Sequence, residues 1–164
     1  MSTIRIAGVI RESITDGPGL RFTVFTQGCP HHCPGCHNPE THDFEGGRLI
    51  EHTRILEEID KNPLLTGVTL SGGDPVCQAP ALLPLAQAVR KRGLSLWMYT
   101  GYTFEQLMEK DENVKDLVRL CDCLVDGPFI EARRSLELRF RGSSNQRIIS
   151  IPRTLREGRV ITEE

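Results

Sequence analysis

The chain has 164 residues, of which 38% are hydrophobic, and this is enough to bury the core of a single domain spanning residues 1–164. With 20 basic and 22 acidic side chains the formal net charge is −2, which argues against nonspecific binding to nucleic acid or to an anionic membrane. No run approaches the about 18 apolar residues of a membrane span. Residues 1–11 lack the apolar core of a signal peptide, so we expect a reducing cytoplasm.

Apolar and β-branched runs predict five strands, in chain order residues 20–26, 67–70, 94–100, 121–126 and 147–151. Apolar residues at helical intervals predict three helices, residues 53–61, 79–92 and 103–120. The second helix ends in basic residues followed by Gly93, a typical C-terminal stop. The third begins with Thr103 and Gln106, which fit a capping box, and we expect a break near residues 111–113.

Strands and helices alternate along the chain, and this order predicts an α/β fold with a parallel sheet and right-handed crossovers. An eight-stranded barrel needs at least about 200 residues. We therefore expect an incomplete (βα) barrel or an open arc of about five to six mostly parallel strands with outer helices. The carboxyl ends of such strands gather functional residues, so the loops after three of them should converge on one site. These loops are the residues after strand 20–26, residues 71–75 and residues 126–128.

Three cysteines, Cys29, Cys33 and Cys36, form a C-x3-C-x2-C run in the first of these loops. Thiolates select zinc, copper or iron–sulfur clusters. A structural zinc ion needs a fourth ligand, which His31, His32 or His37 could supply. A cubane cluster on three cysteines would instead leave one iron open to a substrate. The other cysteines, Cys77, Cys121 and Cys123, are expected to be small apolar residues of the interior.

Two motifs together resemble the radical S-adenosylmethionine superfamily: the cysteine run after the first strand, and Gly72-Gly73-Asp74 after the next. Residues 16–22 (DGPGLRF) and 37–39 (HNP) resemble the branch that activates glycyl radical enzymes. Within that branch, residues 97–102 (WMYTGY), 124–129 (LVDGPF) and 139–149 (RFRGSSNQRII) resemble the activators of anaerobic ribonucleoside-triphosphate reductase. The likeness extends over nearly the whole chain.

The resemblance implies a [4Fe–4S] cluster on Cys29, Cys33 and Cys36, with S-adenosylmethionine bound at the open iron. These cysteines act catalytically through the cluster, which cleaves the cofactor to a 5′-deoxyadenosyl radical. That radical takes a hydrogen atom from a glycine of the large reductase subunit. The implied partners are this subunit and a low-potential electron donor such as flavodoxin or ferredoxin. The alternatives are an activator of the pyruvate formate-lyase type, a radical enzyme acting on a small molecule, and a zinc-stabilised interaction module.

The resemblance also implies residues that bind S-adenosylmethionine. Gly72 and Gly73 allow the backbone to approach the ligand, and Asp74 would accept from the methionine ammonium group. Gly35 stands where superfamily members often have an aromatic residue, so the adenine contact is expected at the backbone of Gly35, Cys36 and His37.

Two further candidates end strands. Strand alternation places Asp126 on the face of Asp122 and Leu124, and we expect it to point toward the ribose or the methionine end of the cofactor. The alternative is an ordinary turn-forming Asp before Gly127. Thr100 is a weaker candidate at the end of the preceding strand.

The positive charge of the chain lies at its end. Residues 131–164 carry eight arginines and five glutamates, whereas residues 1–130 carry 12 basic and 17 acidic side chains. Arg139, Arg141 and Arg147 flank the polar residues 142–146. We predict that this segment docks the partner protein, the alternatives being closure of the cofactor site and a solvated loop.

Overall fold

The computed structural model describes residues 2–31, 33–36 and 39–163, and it has α-helices on one face of a single mixed sheet. Its strands are β1 (Thr3–Ser13), β2 (Arg21–Thr26), β3 (Arg48–Glu51), β4 (Gly67–Gly72), β5 (Ser95–Tyr99), β6 (Cys123–Asp126) and β7 (Arg147–Ser150). Its α-helices are α1 (His52–Asp60), α2 (Ala79–Lys91), α3 (Phe104–Leu107), α4 (Glu112–Leu120) and α5 (Ile151–Glu157). None of the helices in the described part of the chain is long and apolar enough to cross a membrane.

The sheet has the order β3-β1-β2-β4-β5-β6-β7. The four central strands, β2, β4, β5 and β6, are parallel, and this confirms the predicted parallel sheet for the middle of the fold. Both flanks are antiparallel: β1 pairs with β2, β3 pairs with β1, and β7 pairs with β6. The sheet is open, because β3 forms one edge and the other side of β7 carries only a bridge from Ile149 to Thr162 in the described residues.

Two expectations about the elements need correction. The sequence predicted five or six strands and gave no strand before residue 20, whereas β1 and β3 add an antiparallel flank. The last predicted strand is present as β7, but it runs antiparallel to β6 because a loop and not a helix connects them. The break predicted near residues 111–113 is confirmed, since the third predicted helix is two helices and Asp111 accepts a hydrogen bond from the backbone N–H of Val114 at the start of α4. The predicted capping box of Thr103 and Gln106 starts α3.

Helices α1, α2 and α4 cover one face of the sheet and build the main core. Helix α2 lies between the other two. It buries residues at helical spacing, namely Ala79, Leu82, Leu85, Ala86 and Val89, and its terminus is followed by Gly93 at φ +75°. Fully burying a Leu or Val side chain contributes about 1.5–3 kcal/mol. The central strands are therefore held firmly from the helix side, and this fixes the positions of their carboxyl ends.

The opposite face of the sheet carries a smaller apolar cluster of Trp97, Cys123, Val125 and Ile148, against which Phe140 packs. Cys121 and Cys123 are both buried, as expected for structural cysteines, whereas Cys77 is exposed. Arg21 is also fully buried on this side, where its guanidinium donates to Thr69, Ser95 and backbone carbonyls. Desolvation lowers the Arg21 pKa to about 10. The space between this face and residues 127–146 forms a cleft.

Candidate functional site

The cleft lies at the carboxyl ends of the parallel strands and has a volume of about 380 Å³. The three predicted loops all contribute to it, through Cys29, Cys33, Cys36, Gly72, Gly73 and Gly127, and Thr100 at the end of β5 also lines it. Its outer wall comes from the segment between β6 and β7, through Phe129, Leu138, Phe140, Arg141 and Gln146. The expected convergence of strand-end loops on one site is therefore present in the structure, and a cleft of this size suits a small-molecule ligand.

The cysteine loop is tied down at both of its ends. The Gly28 N–H donates to the Thr41 carbonyl at 2.7 Å, and the Cys29 N–H donates to the His42 carbonyl at 3.2 Å. The Gln27 side-chain amide donates to the carbonyls of Glu40 (3.0 Å) and Asp43 (2.7 Å). These bonds join the two ends of the loop 28–42 next to the end of β2. The loop cysteines therefore lie at the cleft.

The three thiols of this loop differ in exposure: Cys29 is buried, and Cys33 and Cys36 are partly exposed. None is in a disulfide, and all three line the cleft. Three thiolates on one loop are a donor set that fits an iron–sulfur cluster. Across residues 2–31, 33–36 and 39–163 no three His, Cys, Asp or Glu side chains are already grouped as a metal site. His37 lies outside the described residues.

The two glycines of the Gly-Gly-Asp motif lie so close to the backbone of the preceding loop that a side chain would not fit at either position. Gly72 has φ +96°, and a Cβ there would lie 2.5 Å from the backbone nitrogen of Thr26. A Cβ on Gly73 would lie 2.3 Å from the carbonyl oxygen of Gly28. Both glycines thus allow the loop after β4 to press against the loop after β2, and both also line the cleft.

Asp74 is fully buried beneath the cleft and is not among its lining residues. Its carboxylate accepts from the Val76 N–H at 3.1 Å, from the Thr100 hydroxyl at 3.0 Å and from the Gly101 N–H at 3.0 Å. His31 Nε2 lies 2.6 Å from its Oδ2. These four partners occupy the roughly four acceptor positions of a carboxylate. Direct contact between Asp74 and a ligand ammonium group would therefore require one partner to leave.

Asp126, for which the sequence predicted a cofactor contact, is buried and is not among the residues that line the cleft. Its carboxylate accepts two hydrogen bonds from Arg147, at 3.0 and 2.6 Å, and one from the Phe104 N–H at 2.7 Å. The Asp126 bonds, together with those to Glu105, raise the pKa of Arg147. Asp126 thus joins β6 to β7 and to the start of α3. The next residue, Gly127, is the one that lines the cleft.

The polar residues 142–146 are held internally and do not form a solvated loop. The Gln146 side chain accepts from the Gly142 N–H at 2.9 Å and donates to the Gly127 carbonyl at 3.1 Å. Asn145 donates to the Pro128 carbonyl at 2.8 Å. The Arg141 guanidinium donates to the Gln146 carbonyl at 2.9 Å, and Arg141 lines the cleft.

Gly35 contacts the segment that forms the outer wall of the cleft, residues 129–146, which we call the wall segment. It has φ +73°, and a Cβ there would lie 2.8 Å from the Glu131 side chain. Gly35 is not among the residues that line the cleft, whereas its neighbour Cys36 is. The cysteine loop and the wall segment therefore meet at this glycine.

Sequence reasoning missed several cleft residues. Thr15 and Asp16 line the cleft, and Asp16 accepts hydrogen bonds from Ser13 and Thr23. Phe140 also lines it, in a left-handed conformation (φ 62°) that is unusual for a bulky residue, with its ring centroid 5.4 Å from that of Trp97. The motifs 16–22 and 139–149 contain Asp16 and Phe140 and were the available signal for these two, whereas Thr15 precedes the first motif. Nothing in the residue types alone placed them on one cleft.

Comparison with known proteins gives consistent results. The family model described as "4Fe-4S single cluster domain" matches residues 15–149. The anaerobic ribonucleoside-triphosphate reductase-activating protein of Escherichia coli (strain K12) is 38% identical over 141 residues, which cover 81% of this chain and 90% of that protein. The protein of the same name from Vibrio cholerae is 38% identical (81% and 89% covered), and that from Enterobacteria phage T4 is 31% identical (82% and 86% covered). Among solved structures, QueE from Escherichia coli matches 62% of this chain and 53% of its own with a TM-score of 0.49 and 20% identity.

Proposed function

The chain belongs to the family of anaerobic ribonucleoside-triphosphate reductase-activating proteins, and from this membership we propose that it uses S-adenosylmethionine to place a glycyl radical on its reductase. It is an activating enzyme with an iron–sulfur domain. The observation that supports the proposal most directly is the cysteine run within the matched domain, with all three thiols opening into one cleft.

We assign the cluster to Cys29, Cys33 and Cys36. When bound, a [4Fe–4S] cluster on three cysteines supplies an open iron and one electron for reductive cleavage of S-adenosylmethionine, whose 5′-deoxyadenosyl radical takes a hydrogen atom from the glycine. The electron comes from a low-potential donor such as flavodoxin or ferredoxin. The chain itself holds the three thiols on a loop closed by the backbone bonds to Thr41 and His42.

We propose that the cofactor lies on the cleft floor formed by Gly72 and Gly73. Asp74 supports this floor from below and binds the methionine ammonium group if one of its four hydrogen-bond partners yields its position on the carboxylate. Thr100 contributes by fixing Asp74, to which its hydroxyl donates. The backbone from Gly35 to His37 is the proposed adenine contact. Asp126 contributes at a distance, because it fixes Arg147 and the base of the wall segment.

We propose that the partner protein docks on the wall segment, residues 129–146. This segment lines the cleft on one side and exposes Leu136 almost completely, at 94%. Arg133 and Arg134 are exposed next to it. An exposed leucine among arginines is typical of a protein interface, where apolar contact and charge complementarity act together. A polypeptide loop docked here would reach the cleft directly.

The decisive experiment is anaerobic EPR of the reconstituted protein mixed with anaerobic ribonucleoside-triphosphate reductase, S-adenosylmethionine and a reductant. We expect a glycyl doublet that disappears when S-adenosylmethionine is omitted. The reaction with a pyruvate formate-lyase-type partner serves as the specificity control. A doublet only with that partner would assign the other activator class, and a colourless protein containing zinc would overturn the proposal.

A further inference from the structure

The side chain of His31 occupies a socket built by two other strand-end loops. His31 lies between Cys29 and Cys33, and its Nε2 is 2.6 Å from the buried Oδ2 of Asp74. The ring meets Tyr102 edge to face, with centroids 4.5 Å apart. Only 16% of the His31 side chain is exposed. A histidine on a loop that projects from the end of a strand is thus mostly buried against two other loops.

Gly101 makes this socket possible. A Cβ at position 101 would lie 2.4 Å from Cδ2 and 2.7 Å from Nε2 of the His31 ring, so only glycine leaves space for the imidazole. The Gly101 N–H donates to the same Oδ2 of Asp74, at 3.0 Å. Unlike Gly72, Gly101 does not have a positive φ, so its lack of a side chain, and not its backbone conformation, is what the site uses.

We propose that His31 is a positioning residue that pins the cysteine loop into this socket, so that the thiols of Cys29 and Cys33 stay at the cleft when the cluster is absent and hold it more tightly when it is present. The inference deepens the proposed function and rests on its cluster site. It differs from the zinc-ligand role considered for His31 in the sequence, because the ring nitrogen faces Asp74. Groups that orient a ligand-bearing segment typically change metal retention by about 10–100-fold.

Two substitutions remove the anchor in different ways. His31→Phe keeps an aromatic ring against Tyr102 but cannot donate to Asp74, whereas Gly101→Ala keeps every hydrogen-bonding group and displaces the ring. His31→Gln restores a donor at about the distance of Nε2 and is the rescue variant. Gly8→Ala and His52→Phe are matched controls, since a Cβ on Gly8 would contact nothing within 4 Å and the His52 ring accepts a hydrogen bond from the Ser2 N–H, near the start of the chain.

The first measurement is amide hydrogen exchange of the cluster-free proteins, followed by mass spectrometry of peptides covering residues 28–42. We expect roughly tenfold faster exchange in His31→Phe and Gly101→Ala, near wild-type exchange in His31→Gln, and no change in peptides from α2. The second is the rate at which a chelator removes iron from the reconstituted proteins, expected to rise about tenfold in the same two variants.

Equal exchange and equal iron loss in wild type, His31→Phe and Gly101→Ala would overturn the inference. So would a His31→Gln protein as impaired as His31→Phe, because the hydrogen bond would then not be the cause. A wild-type protein that takes up no iron would instead overturn the proposed function, and the exchange measurement on the cluster-free chain would still decide whether His31 pins the loop.

Discussion

Of the six cysteines, two lie in the interior of the sheet, three line the cleft, and Cys77 is exposed. Cys121 and Cys123 are buried in the sheet and its helices, and desolvation raises the pKa of the Cys123 thiol to about 12. A thiol with such a pKa is neutral at pH 8 and is a poor nucleophile and a poor metal ligand. The loop cysteines line the cleft instead. Position at the cleft therefore separates the candidate ligands from Cys121 and Cys123, whereas burial does not, because Cys29 is buried as well.

This difference predicts the effects of single substitutions. Cys29→Ala, Cys33→Ala or Cys36→Ala should abolish stable cluster binding and S-adenosylmethionine cleavage, because three thiolates are the complete protein ligand set. Cys121→Ala and Cys123→Ala should retain both at near wild-type levels, with at most a modest loss of stability. Iron analysis and absorption near 400 nm test the prediction. Full iron content in Cys33→Ala, or loss of iron in Cys123→Ala, would contradict it.

Asp74→Asn tests how the buried carboxylate supports the cleft. An amide NH₂ in place of one oxygen would face the N–H donors that now reach Asp74, and a buried unsatisfied pair costs about 1–3 kcal/mol. We expect lower stability in urea and roughly tenfold weaker binding of S-adenosylmethionine, while the protein still turns brown on reconstitution. Asp116→Asn, on the exposed surface of α4, is the control. Unchanged affinity would remove Asp74 from cofactor binding.

The position of Asp126 in the structure shows what a residue pattern can and cannot predict. Alternation placed it on the face of Leu124, and Leu124 does belong to the helix-side core. The sequence alone does not show which face of β6 packs against the helices. All four residues of β6 are buried, so both faces of the strand are covered by other parts of the protein. The cysteines and Gly72-Gly73 were identifiable because their chemistry and spacing are independent of that choice. The contact of His31 with Asp74 and Gly101 could not be predicted, since these residues are 43 and 70 positions away along the chain.

At the scale of elements, Arg147 connects β7 to the rest of the sheet. Its guanidinium makes two bonds to Asp126, which is only 1% exposed, and it also reaches Glu105 at 2.6 Å. Arg147→Met should destabilise the protein by about 3 kcal/mol, because it leaves a buried carboxylate without its charged partner. Arg119→Met removes an exposed pair with Asp116 and should cost less than about 1 kcal/mol. Equal midpoints in urea for the two variants would contradict this assignment.

The wall segment divides into two functions that substitutions should separate. Leu136 is exposed, so Leu136→Asp should lower the yield of glycyl radical about tenfold and leave partner-independent S-adenosylmethionine cleavage unchanged. Arg141 lines the cleft, so Arg141→Ala should lower both activities together. Leu64→Asp is the control, because Leu64 is 73% exposed and lies outside the cleft lining. A normal radical yield in Leu136→Asp would remove this segment from the docking surface.

The sheet was predictable in its centre and not at its flanks. The strands at residues 20–26, 67–70, 94–100 and 121–126 could be predicted because they are rich in apolar residues, and those at 67–70 and 94–100 also lie between helices. Strand β1 was missed because only Ile4, Ile6 and Ser13 of its eleven residues are buried. Strand β3 has four residues with none fully buried. The pairing register of β1 against β2 is also irregular. In such a flanking strand with one solvated face, apolar and polar residues alternate too weakly along the sequence to be recognised.

For the whole molecule, the uneven distribution of charge predicts a dependence on salt. Residues 131–164 carry eight arginines and five glutamates, and they include the proposed docking segment. Raising NaCl from about 0.05 to about 0.5 M should slow glycyl radical formation roughly tenfold when the concentration of the activating protein limits the rate. Salt screens the attraction between the basic segment and an acidic surface of the reductase. Partner-independent cleavage of S-adenosylmethionine should be insensitive. Salt-independent radical formation would indicate an apolar interface.

The long-range anchor of the cysteine loop has a consequence for biosynthesis. Strands β1, β2 and β3 are neighbours in both sequence and space, so they can pair once about the first 51 residues have been translated. The anchor of His31 needs Asp74 and Gly101, which are added seconds later at about 5–20 residues per second. During that interval the thiols are present on the nascent chain without the socket that holds their loop. We therefore expect iron delivery to be post-translational, with the assembly machinery recognising a completed fold.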